Sequence, residues 1–191
     1  TIHLADSMPK SAIERIDQMI EAMPDQERAI ERRKRLHDWI DAGHGSCILG
    51  EAEPAQIVEE ALHFFDGERY RLFAWVVMPN HFHVLFQPIG DWSMADTVAS
   101  WKRFTATKIK KWLRARQESG DPGSAGLLSG SVAESGFLSG EMPIWPREYW
   151  DRYIRNQKHF DAVIDYIHQN PVKAHLCASP SRWRFTSARM P

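Results

Sequence analysis

The stretch Trp75-Val76-Val77-Met78-Pro79-Asn80-His81-Phe82-His83-Val84-Leu85-Phe86 constrains this chain more than any other. β-Branched and aromatic residues flank a Met-Pro-Asn break, which predicts a strand, a tight turn and a second strand. Side chains alternate across a strand, so His81 and His83 face one way while Phe82 and Val84 face the other. Two imidazoles on one face, roughly 7 Å apart along the strand, suit two adjacent positions around one divalent metal. The plainer alternative is a half-exposed strand whose polar positions happen to be histidine.

The chain has 191 residues, 43% hydrophobic and 26% charged, as expected of one globular domain with an insertion. No apolar run approaches membrane-spanning length and no signal peptide is visible. Two cysteines, Cys47 and Cys177, without CxxC spacing argue against a disulfide framework or zinc knuckle, and a cytoplasmic setting is expected. The chain starts at Thr1 in what reads as mid-strand, so a few residues are expected upstream.

The net charge of −1 hides an asymmetry. Residues 1–70 carry 8 Lys and Arg against 15 Asp and Glu; residues 71–191 carry 16 against 10. The histidine pair lies in the basic part. A cationic face near the pair is expected, with an acidic appendage away from it.

Along the chain, residues 1–4 predict a short strand. Residues 11–44 form a helical insertion in two pieces, the first with an apolar stripe of Ile13, Ile16, Met19, Ile20 and Met23. The run Arg32-Arg33-Lys34-Arg35 in the second piece is surrounded by acids and reads as a solvated helix face. Residues 47–49 suggest another short strand, 53–65 an amphipathic helix, and 70–88 the histidine hairpin. A long helix from Trp92 to about Arg116 carries Lys102, Arg103, Lys108, Lys110, Lys111, Arg114 and Arg116 beside Trp101, Phe104 and Trp112. Phosphate binding and a merely solvated cationic face explain it equally well. Residues 117–142 are rich in Gly, Ser, Glu and Pro and predict a disordered loop. Residues 144–154 predict a strand. A final helix begins at Asn156 or Lys158 and is expected to end at Asn170 before Pro171. The insertion aside, the order strand, helix, strand, strand, helix, strand, helix is an α+β, ferredoxin-like split βαβ plan. Its antiparallel sheet would carry the hairpin at the centre.

The last helix contains Asp161-Ala162-Val163-Ile164-Asp165-Tyr166-Ile167-His168-Gln169-Asn170. Tyr166 and Asn170 are four apart and share a face. With the apolar face on the sheet, a phenol and a carboxamide would lean over the histidines. Tyr153 is the other tyrosine considered as a nucleophile.

His81-Phe82-His83, preceded by Val77-Met78-Pro79-Asn80, resembles the motif of the HUH single-stranded-DNA nucleases. Asp151-Arg152-Tyr153-Ile154-Arg155, Tyr166-Ile167-His168-Gln169-Asn170-Pro171-Val172-Lys173-Ala174 and the opening Leu4-Ala5-Asp6-Ser7-Met8-Pro9 resemble the REP-associated tyrosine transposases. The resemblance implies a metal-dependent nuclease, acting as a monomer, that cleaves and rejoins single-stranded DNA near REP hairpins at the nucleoid. It makes Tyr166 the nucleophile and His81, His83 and Asn170 the ligands of Mg²⁺ or Mn²⁺. Three neutral ligands predict weak metal affinity without DNA. Lys102, Arg103, Lys108, Arg152 and Lys173 are the expected phosphate contacts. The family commonly has glycine where this chain has His175, which touches the turn rather than the chemistry. A non-catalytic DNA-binding protein on the same scaffold and a metal–water RNA hydrolase are the rival readings.

Overall fold

The computed structural model describes residues 1–119, 136–137 and 142–189. The predicted 117–142 loop lies mostly outside them, and its first residues, through Ser119, continue a helix. The described elements are β1 (Ile2–His3), α1 (Lys10–Ile20), α2 (Asp25–Asp41), α3 (Ala52–His63), β2 (Tyr70–Val77), β3 (His81–Pro88), α4 (Met94–Ser119) and α5 (Gln157–Lys173). Strands β1, β3 and β2 form an antiparallel sheet in that order. Its centre is β3, with His3 opposite His81 and Val76 opposite His83.

Alternation along β3 sorts the core. Phe82, Val84 and Phe86 face α3 and α4, together with Trp75, Val77, Leu62, Trp101 and Ile109. Leu85, with Ala74, Val76 and Met78 of β2 and its end, packs against Ile167, Val163 and Ile164 of α5. A bulge between Leu72 and Ala74 lets Phe73 and Ala74 both serve the α5 side. Each fully buried side chain of this size contributes roughly 1.5–3 kcal/mol. The two sides of the hairpin are therefore held in opposite senses by two separate cores.

Pro9 and Pro24 stand at the N-caps of α1 and α2. Asp25 and Glu27 fill the first turn of α2, where carboxylates suit the helix dipole. Ile16 of α1 packs on Leu36 and Ile40 of α2, with Met8 beneath. Met19 of the predicted stripe is exposed instead, because the stripe is wider than the face α2 covers.

Three predictions need correction. Residues 48–50 form a 3₁₀ turn rather than a strand, entered through Cys47 in the left-handed region at φ 53°. The strand predicted over 144–154 does not form. Pro146 has no N–H for a ladder, and the segment follows β1 only through isolated bonds, Ala5 N–H to Ile144 C=O and the reciprocal pair between Thr1 and Trp150. The last helix does not stop at Asn170. Asn156 caps its start by accepting from His159 N–H, and the helix runs through Pro171 to Lys173. The turn closes with His175 N–H on Val172 C=O and Leu176 N–H on Pro171 C=O, a Schellman arrangement. Its left-handed position is His175, at φ 56°.

Beyond α5, residues 183–187 lie along the outer side of β2. Val77 N–H bonds to Phe185 C=O, Trp75 N–H to Ser187 Oγ, and Trp183 Nε1–H to Val77 C=O.

Candidate active site and metal centre

The turn between β2 and β3 builds the site. Met78 N–H bonds to His81 C=O, leaving Pro79 and Asn80 as its two corner residues. The Asn80 side chain is buried and its amide donates to Ile40 C=O at 2.9 Å and His44 C=O at 3.1 Å. Two carbonyl partners fix that amide's orientation, so Asn80 Oδ1 faces His81 Nδ1, 2.8 Å away, and accepts its proton. Neutral His81 then presents a bare Nε2 to the site, the tautomer a metal ligand requires. The bond to Ile40 ties the last turn of α2 to the hairpin and brings Asp41, the residue after Ile40, against the histidines.

His81 and His83 are both almost wholly buried. Their Nε2 atoms are 3.0 Å apart. Adjacent ligands at right angles, each ~2.1 Å from one ion, are separated by about that distance. His83 Nδ1 lies 2.7 Å from Thr1 Oγ1. Asp41 Oδ1 is 3.6 Å from His81 Nε2, and one donor atom from each of Asp41, His81 and His83 falls within 4.8 Å of the other two. Asn170 is buried, with Nδ2 3.2 Å from His83 Nε2. Rotating the amide end for end exchanges its oxygen into that place.

Two oxygens, Asp41 Oδ1 and Asn170 Oδ1, are buried without a hydrogen-bond partner. Orphaned acceptors beside two converging imidazole nitrogens are what a divalent cation would satisfy. The donor set, two nitrogens and two oxygens, fits Mn²⁺ or Mg²⁺. Asp41 would make the set anionic, one carboxylate beyond the three neutral residues that the resemblance implies. It corrects the place of the helical insertion: α2 is no appendage away from the site but supplies one of its walls.

Tyr166 of the same chain reaches this cluster. Its ring meets His83 edge-on at 5.2 Å between centroids, and Oη donates to Asp41 Oδ2 across a long 3.4 Å. Burial, then the Asp41 carboxylate, raises the phenol well above its ordinary pKa. Burial also raises Asp41, pushes His81 down to about 3 and holds His83 well below the ordinary imidazole value. Both histidines are thus neutral and free to ligate at pH 7.

The other predicted residues divide. Lys173 Nζ lies 5.2 Å from the centre of the Tyr166 ring, and Arg152 lies near His37 of α2. Lys102, Arg103 and Lys108 sit on α4, which packs on the opposite side of the sheet from the histidines. Lys102 Nζ is engaged by the carbonyls of Pro146 and Arg147. Tyr153 is 77% exposed. Sequence reasoning missed Asp41 and the role of Asn80. The Asn80 signal was its place directly before the histidine pair, whereas nothing local marks Asp41 among its acidic neighbours.

Among the described residues no helix is long and apolar enough to cross a membrane. No protein-family model matches the chain. The REP-associated tyrosine transposase of Escherichia coli strain K12 is 29% identical over 119 residues, covering 62% of this chain and 54% of that protein. A Haemophilus influenzae protein provisionally given the same family name is 27% identical over 119 residues, covering 62% of this chain and 58% of its own. The chain thus spans little more than half the length of the curated relatives it matches. A solved structure of a REP-associated tyrosine transposase bound to a REP hairpin aligns with a TM-score of 0.48 and 23% identity, over 72% of this chain and 67% of that one. In sequence, then, this chain is similar to the REP-associated tyrosine transposases, the family its histidine strand and last helix resemble.

Proposed function

We propose that this chain is a metal-dependent, site-specific endonuclease and strand transferase of single-stranded DNA, acting at REP-type hairpins through a 5′-phosphotyrosine on Tyr166. The observation that carries the reading is the convergence of Tyr166, Asp41, His81, His83 and Asn170 at one buried point of one chain, with two oxygens left unpaired. The sheet and its helices are read as a ferredoxin-like single domain working as a monomer at the nucleoid.

His81, His83, Asp41 and the Asn170 carboxamide would hold Mg²⁺ or Mn²⁺. When bound, the ion supplies Lewis acidity to a non-bridging oxygen of the scissile phosphate. Ionising an ordinary phenol at pH 7 costs roughly 4 kcal/mol, and burial makes Tyr166 harder still to ionise. The nucleophile therefore stays protonated at rest. Asp41 Oδ2 is the acceptor nearest its proton. Tyr166 Oη bonds to phosphorus, the bond to the 3′ oxygen breaks, and that oxygen leaves as a 3′-hydroxyl. The covalent link keeps the phosphoryl group activated, so a 3′-hydroxyl can reverse the step without ATP.

The test uses a single-stranded REP hairpin labelled at its 3′ end, the side that stays on the tyrosine, with Mn²⁺ and a denaturing protein gel. Label retained on the protein, lost with chelator and in Tyr166→Phe, is expected. Cutting that leaves no label on protein, and persists in Tyr166→Phe, would replace the tyrosine mechanism with an activated water.

A further inference from the structure

Helix α2 carries a second feature that the chemistry above does not use. Arg33, His37 and Asp41 are spaced by four and lie along one helical face. That face ends in the metal centre at Asp41. Eight residues of helix set Arg33 ~12 Å back along the axis, about three nucleotides of stacked strand at ~3.4 Å each.

The segment after the sheet faces this stripe. The Trp150 ring lies between His37, at 4.7 Å, and His3, at 5.4 Å, and His3 is the strand partner of His81. Two residues on, Arg152 joins the Thr1 ammonium and Arg33 in acting against protonation of His37, after burial itself, while Asp38 acts for it. Arg33 and Arg152 are both exposed. Neither has a carboxylate of the described residues within 4.0 Å, although Asp151 adjoins Arg152 and Asp38 stands five residues after Arg33. The other arginines of α2 differ. Arg28, Arg32 and Arg35 are tied to Asp25, Asp17 and Glu31.

We propose that the α2 face and the 150–152 segment are the two walls of a channel for single-stranded nucleic acid. Arg152 and Arg33 grip phosphates of the strand that leads to the one held at Asp41, His81 and His83, Arg33 about three nucleotides back from it. This rests on the functional reading above and adds the path of the strand and the residues that hold it. Guanidinium forks bind phosphate oxygens in pairs, and exposed side chains of this kind lose little on capturing a strand. Lys173 beside Tyr166 places a further cation at the far end of the same path.

Phosphate contacts are blind to sequence, so the probe is a fluorescent single-stranded DNA of mixed sequence, bound with chelator present. Affinity is measured by anisotropy from about 50 to 200 mM salt. Arg33→Gln and Arg152→Gln should each flatten the slope of log K against log salt by about 0.7, and the double variant by about 1.4. Arg35→Gln, whose charge is committed to Glu31, should leave it unchanged. Thermal midpoints of the two single channel variants and of their double should match the parent, since neither channel arginine is ion-paired within the fold. A parent that binds and a double variant with the parental slope would overturn the channel while leaving the tyrosine nuclease standing. A parent that binds no single-stranded DNA of mixed sequence would likewise overturn the channel, whereas the nuclease stands or falls by the labelled-hairpin gel.

Discussion

Asn80→Ala is the perturbation that tests how the site is assembled. The side chain makes three hydrogen bonds, to Ile40 C=O, His44 C=O and His81 Nδ1, at 2.9, 3.1 and 2.8 Å. Each is worth roughly 0.5–1.5 kcal/mol net, more where a buried partner is left bare, so the loss is about 3 kcal/mol. For a chain of this size that lowers the thermal midpoint by about 6–12 °C. A second effect is separate from stability. Without Asn80 Oδ1 the His81 ring can take the other tautomer, and the last turn of α2 that holds Asp41 is untied. Losing a group that orients a metal ligand typically costs 10–100-fold in affinity, and that range is expected for Mn²⁺. Thermal unfolding in chelator and calorimetric titration with Mn²⁺ measure the two effects independently. A variant that melts within ~2 °C of the parent would refute the structural account. One that melts lower but binds Mn²⁺ as tightly as the parent would refute the orienting role.

Three further outcomes follow from the same geometry. Asp41→Asn should raise the midpoint of the metal-free protein slightly, because a buried carboxylate without an ion-pair partner is removed, while weakening Mn²⁺ binding by ~10-fold or more, read by the same titration. His175→Gly should stabilise the chain by ~0.5–1 kcal/mol in urea unfolding, since glycine takes the left-handed turn after α5 without a Cβ penalty. In chelator the protein should lose stability as pH falls from about 6.5 toward 4. His37 and His81 are pushed down to about 4 and about 3 by burial, so in that window the unfolded chain binds protons that the folded one refuses. Flat stability across that range would contradict it.

What the sequence made legible is what short-range periodicity encodes. The hairpin could be read because β-branched and aromatic residues surround Pro79, and its period of two put His81 and His83 together. Tyr166 and Asn170 could be read because four residues make about one helical turn. Asp41 could not, since its place depends on a bond from Asn80 to Ile40, forty residues away, and no local pattern distinguishes it from Asp38. The end of α5 misled for a related reason. Proline usually stops a helix early, but bonds contributed by His175 and Leu176 complete the last turn around Pro171. The 144–154 segment has the aromatic content of a strand, and Pro146 denies it the ladder. The basic run of α2 was judged as a block, whereas the structure pairs Arg32 with Asp17 and Arg35 with Glu31 and leaves Arg33 exposed.

The bonds from residues 185–187 to β2 bear on more than the exposed side of that strand. A hairpin slipped by one residue would turn His81 and His83 out of the site and bring Phe82 in, with most of its ladder re-formed. Phe185 and Ser187 grip Val77 and Trp75 just before the turn, on the side away from β3. They hold the strand at a fixed point along its length, so the tail works as a ratchet stop for the register on which the candidate metal centre depends.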